Sequence, residues 1–113
     1  MIPTQVQIYV ASQPVDFRRS FDGLAAAARE VMKLEPQSGA LFVFCNRRLD
    51  RLKALWWDST GYCLLYMRLE RGCFRLPQPL SHGQTHVSID QRELARILSG
   101  VDLPRHAVHI AAS

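Results

Sequence analysis

Polar and apolar residues change their period several times along the chain, and each change marks an element. In "QVQIYVA" (5–11), polar positions alternate with β-branched and aromatic ones, the pattern of a strand with one covered face. From Phe17 the spacing becomes helical. Phe17, Phe21, Leu24, Ala28 and Val31/Met32 fall on one stripe, predicting an amphipathic helix over about 17 to 34 with Asp16 as its N-cap. Gly23 inside it costs about 1 kcal/mol relative to alanine, which implies close backbone packing. Pro36 stops the helix, because the residue before a proline avoids the α region. "GALFVFC" (39–45) is short and apolar on both faces, so it reads as a central strand.

"RLKALWW" (51–57) taken alone fits a helical turn or a strand. The following "DSTG" and the apolar run "YCLLYMRLE" favour a β-hairpin, with Asp58 opening the turn and Gly61 closing it. Gly72 breaks the second strand, "CFRLP" forms a short edge piece ending at Pro77, and "LPQPLSHGQTH" (76–86) is the best linker. Asp90 and Glu93 make a capping-box-like start to a last helix. Its apolar face is Leu94, Ile97, Leu98 and Val101, and Gly100 caps it with Pro104 beyond. The expected fold is α+β: a single compact domain over 1–113, with a curved antiparallel sheet of about four or five strands and two packed helices. Its core runs from about 5 to 103, and 104–113 form a loosely held tail.

A loop centred on Ser59 and Thr60, of two or four residues, sets one register for the hairpin. Trp57 then pairs with Tyr62, Leu55 with Leu64, Lys53 with Tyr66 and Arg51 with Arg68. Side chains alternate across a strand. One face therefore carries Leu52, Ala54, Trp56, Cys63, Leu65, Met67 and Leu69, and holds no charge. The other carries Arg51, Lys53, Leu55, Trp57, Tyr62, Leu64, Tyr66, Arg68 and Glu70. The first is a core face, and the second mixes cations with aromatic rings. Arg51 opposite Arg68 is unfavourable by a few tenths of a kcal/mol, which Glu70 on the diagonal or a bound phosphate would offset.

Charge sharpens this picture. The chain of 113 residues has a net charge of +4. Residues 47–75 hold seven basic and three acidic side chains, so the whole excess lies there, and residues 42–74 hold seven of the ten aromatics. Rings that stack bases beside Arg and Lys that meet phosphates are a usual means of holding nucleic acid. The candidate DNA-binding set is Arg47, Arg48, Arg51, Lys53, Trp57, Tyr62, Tyr66, Arg68, Arg71 and Arg75. The same face reads equally as a half-covered sheet surface, with Lys and Arg stems lying over rings and the amphipathic helix covering part of it.

Other chemistry is weaker. His82 and His86 have an HxxxH spacing, but Cys63 and Cys73 lie ten apart where zinc fingers need a tight pair, so no metal and no cofactor is expected. Solvated loop histidines are the simpler reading. His106 and His109 stand near the C-terminus. Asp16, Asp50, Asp58 and Glu70 resemble a nuclease's acidic cluster only superficially. The cap, the turn and pairing with nearby arginines account for them, and no catalytic residue is assigned. Three cysteines without a CxxC pair argue for a reducing compartment. With neither signal-peptide layout nor membrane span, the expectation is a cytoplasmic protein.

"VDFRRSFDGLA", "SGALFVFCNRRLDRLKALWWD", "GYCLLYMRLERGCFRLP" and "IDQRELARILSGVDL" together resemble the TnpB accessory proteins of bacterial insertion sequences of the IS-sixty-six type. The resemblance spans roughly residues 8 to 103. Ala54, Met67 and Leu76 depart from it, standing where the family usually has a larger aliphatic, a lysine and a tryptophan. It implies a non-enzymatic accessory factor of transposition, encoded beside a separate DDE transposase, with insertion-sequence DNA or that transposase as partner. The positions matching the family's basic motif are Arg47, Arg48, Asp50, Arg51, Lys53, Arg68, Glu70 and Arg71, together with Asp16, Arg18 and Arg19. Three readings follow: DNA binding through the hairpin, docking on the partner transposase without DNA contact, and, less favoured, a metal-dependent nuclease.

Overall fold

A computed structural model of the chain describes residues 5–100. The element order is β1 (Ile8–Ala11), α1 (Phe21–Glu30), β2 (Leu41–Cys45), β3 (Arg51–Trp57), β4 (Tyr62–Arg68), β5 (His86–Ile89) and α2 (Gln91–Ser99). The strands form one five-stranded sheet in the order β4-β3-β2-β1-β5. The α+β expectation and the strand number hold, but the sheet is mixed rather than wholly antiparallel. β1 runs parallel to β2, while the other three pairings are antiparallel. The reason is topological: α1 lies between β1 and β2, and a helical crossover carries the chain back to the end of the sheet at which β1 began.

Each sheet face has its own core. Ile8, Val10, Leu41, Val43, Cys45, Leu52, Ala54 and Trp56 pack on one side with Phe74 and with Leu94 and Ile97 of α2. Phe42, Phe44 and Leu55 pack on the other with Leu24, Ala25, Ala27 and Ala28 of α1. A central strand covered on both faces must be apolar throughout, and all five residues of β2 are buried.

The helices show where local signals succeeded and failed. Asp90 caps α2 as expected, its carboxylate accepting from the Glu93 amide at 2.8 Å. Gly100 ends that helix at φ 72°, a conformation that a side chain at this position would strain. Asp16 does not cap α1. Its carboxylate accepts from the Arg18 amide and guanidinium, making a turn of 16–18, and the helix starts later after Ser20. At the other end Lys33 takes φ 61°, which breaks the helix before Pro36 is reached. The stripe over 17–34 therefore mixes a helix with the turns that flank it.

β5 begins at His86, the last residue of the expected linker, and runs on to Ile89. Four residues are too few to show a period, and the strand exists because β1 offers it an edge, pairing Ile8 with Ile89 and Val10 with Val87. The "CFRLP" piece is irregular apart from a single bridge residue, Cys73, and its Phe74 is buried in the α2-side core. Among the described residues no helix is long and apolar enough to cross a membrane. The expected tail 104–113, with Val101, His106 and His109, lies outside the described residues.

Candidate nucleic-acid interface

The hairpin register is the expected one, with Trp57 opposite Tyr62, Leu55 opposite Leu64, Lys53 opposite Tyr66 and Arg51 opposite Arg68. The turn spans Ser59 and Thr60, with the Asp58 amide donating to Gly61 O at 2.8 Å and Ser59 at φ 52°. The left-handed φ is what a two-residue hairpin loop imposes. Both face assignments hold: Leu52, Ala54, Trp56, Cys63, Leu65, Met67 and Leu69 all lie in or against the α2-side core.

Depth along the mixed face is another matter. Lys53 is 5% exposed. Its ammonium donates to Phe17 O at 3.0 Å and Arg19 O at 2.6 Å, and it lies 5.0 and 4.9 Å from the ring centroids of Phe17 and Tyr66. Lys53, placed in the candidate DNA-binding set, does not face water, which corrects its place in that set: the segment leading into α1 lies across the hairpin, and two carbonyls and two rings replace the water around the cation. Leu55 beside it is buried under α1. Lys53 is thus a fastener, holding residues 17–19 against β3 and β4.

That fastening creates a cationic end. Asn46 organises the β2–β3 turn, its side-chain oxygen accepting from the amides of Asp50 and Arg51 and its amide group donating to Asp50 at 2.6 Å. Arg47 and Arg48 are exposed at the tip of this turn. The Leu69 amide donates to Asp50 O and the Phe74 amide to Leu49 O, which brings the 69–75 segment, with exposed Arg71 and Arg75, alongside. The Val15 amide donates to Cys45 O, carrying Arg18 and Arg19 to the same end. Segments 15–20, 46–51 and 68–75 together hold eight arginines against three carboxylates.

The like-charged pair Arg51 and Arg68 is tolerated because each has its own partner. Arg51 donates to the Tyr66 hydroxyl at 3.0 Å, and Arg68 lies 3.4 Å from Glu70. Asp16 is bound to Arg18, whose guanidinium holds its carboxyl down at about 2. The remaining guanidinium forks are turned to solvent, where rigid planar donors suit bidentate contact with phosphate oxygens.

The aromatic half of the candidate set is elsewhere. Trp57 and Tyr62 are half-buried beside the hairpin turn, in an edge-to-face pair with centroids 5.0 Å apart. At a strand rise of ~3.4 Å per residue they stand about 20 Å from Arg51. The structure thus gathers Arg47, Arg48, Arg51, Tyr66, Arg68, Arg71 and Arg75, buries Lys53, and leaves Trp57 and Tyr62 at the far end. Arg18 and Arg19 join the cluster although the hairpin pattern did not point to them. The signal that singled them out was their match to the family's basic motif.

One other expectation changes in detail. His86 is no solvated loop residue: it sits on β5 in an edge-to-face contact with Tyr9 at 5.3 Å, its Nδ1 2.9 Å from Thr85 Oγ1. Cys45 is buried, which pushes its thiol up to about 12. Among the described residues no three His, Cys, Asp or Glu side chains gather as a metal site would need.

The chain matches the family model described as IS66 Orf2 like protein over residues 6–107. It belongs to the IS66 Orf2-like family. Two relatives come from Sinorhizobium fredii. The uncharacterized protein y4jC is 39% identical over 100 residues, covering 88% of this chain and 83% of that protein. The uncharacterized protein y4hO is 38% identical over 104 residues, covering 90% and 88%. No solved structure matches the chain. Membership of the IS66 Orf2-like family supports an accessory role in the transposition of an insertion sequence.

Proposed function

We propose that this accessory factor works without catalysis of its own, holding the DNA of its insertion sequence through the arginine-rich end of the sheet. The observation that carries the reading is the convergence of three separate segments on one end, each bringing exposed arginines whose carboxylate neighbours are too few to neutralise them. Phosphate contact by such a surface positions the protein on DNA without reading its sequence. Replacing Arg47 and Arg48 together by alanine tests it. By fluorescence anisotropy, binding to DNA from the element's termini should weaken by about tenfold or more, as two phosphate contacts are lost. Unchanged binding by a folded variant refutes the proposal.

A second reading is favoured by the position of Trp57 and Tyr62. A half-exposed aromatic pair well away from the arginines suits a protein contact, and the partner transposase is the natural candidate. Trp57→Ala then loses capture of the transposase while keeping DNA affinity. Arg47→Ala with Arg48→Ala does the reverse.

A further inference from the structure

We infer that the protein forms a two-fold dimer by pairing β4 with β4 of a second copy. The Asp58 amide bonds to Gly61 O, and the Leu69 amide to Asp50 O. In an antiparallel ladder, hydrogen-bonded pairs alternate with non-bonded ones. The odd-numbered residues of β4 therefore direct their amides and carbonyls to β3. Tyr62, Leu64, Tyr66 and Arg68 direct theirs outward, and among the described residues β4 is the end of the sheet.

Edge strands are ordinarily protected by shortness, proline, bulges or charge. β5, at the other edge, has only four residues. β4 has seven, with an unbroken one-to-one register, no proline and no charge before Arg68. Its side chains on the α2 face, Cys63, Leu65 and Met67, are only partly buried at the border of that core.

The occupant follows from self-complementarity, which a two-fold interface requires. Centring the axis on Leu65 overlaps the whole strand with itself and forms hydrogen-bonded pairs only between outward-facing residues. Leu64 then faces Tyr66 of the second copy, and Tyr62 faces its Arg68, a ring against a cation. On the opposite face Leu65 meets Leu65, and Cys63 meets Met67. No like charges oppose each other. The pairing has a consequence that rests on the DNA reading above: it sets the aromatic end of one copy beside the arginine end of the other, joining what a single chain holds about 20 Å apart.

Sedimentation of the full chain without DNA tests the pairing, and the expected mass is that of two chains. Leu65→Lys places two ammonium groups on the axis and should give a single-chain mass with an unchanged circular dichroism spectrum. In a Cys63→Ser, Cys73→Ser background, Leu65→Cys should cross-link copies under mild oxidation, since a non-bonded antiparallel pair has the spacing of a disulfide. Ser88→Cys, on β5, should not. A single-chain mass at every concentration overturns the inference, as does a dimer that survives Leu65→Lys or cross-links through Ser88→Cys alone. None of these readouts contains DNA, so the pairing and the DNA reading can fail separately.

Discussion

The two ends of the β3–β4 hairpin are built from the same ribbon and share its mixed face, yet they have opposite surroundings. At one end, Arg51 and Arg68 are joined by arginines of the adjoining chain at 47–48 and 71–75 and of one other segment, 15–20. At the other, Trp57 and Tyr62 close on each other beside a short turn. Between them Lys53 and Leu55 are covered by the approach to α1 and by α1 itself. Alternation along a strand thus fixes the face a side chain takes. What crosses that face decides whether a charge there meets water or carbonyls.

Breaking the middle should have the largest effect. Lys53→Ala strips two backbone carbonyls of a charged donor and opens a cavity, and should destabilise the fold by about 2–4 kcal/mol in urea unfolding. Arg68→Ala, whose partner Glu70 is exposed, should cost less than about 1 kcal/mol. Equal losses would mean that Lys53 is no fastener. Next comes the tip of the cationic end: Arg47→Ala with Arg48→Ala should lower the slope of log affinity against log salt by about 2, with stability kept within about 0.5 kcal/mol.

The aromatic end should respond in the other currency. Trp57→Ala should lower stability by about 1 kcal/mol through the lost ring pair, while leaving the salt slope alone. The smallest effect concerns Asp16. Its carboxyl is held low, so the Arg18 pair is complete above the ordinary value of 3.8 and is lost only as pH falls through about 2. A carboxyl titration followed by NMR should show that low midpoint. A midpoint near 3.8 would show that Arg18 is unpaired in solution.

Much of this was legible in the sequence. Asp58 and Gly61 announced the hairpin, and period-2 alternation then placed the residues of its two strands, 51–57 and 62–68, on their correct faces. Asp90 and Gly100 marked both ends of α2. What escaped was non-local. β5 needs the edge of β1 to exist. The parallel pairing of β1 and β2 is set by the crossover rather than by either strand. Asp16 had the chemistry of a cap, but Arg18 two residues on offers its carboxylate a stronger partner than helix amides do. The burial of Lys53 depends on carbonyls more than thirty residues away in the chain. The cationic end is assembled from three segments, of which the hairpin pattern could reveal only two.

The most direct measurement is a salt series of binding between the intact protein and DNA from its insertion sequence. With about four phosphates held by the arginine end, log affinity should fall against log salt with a slope near −4 on duplex, or near −3 on single strands. A flat dependence, or no binding at low salt, would contradict the account.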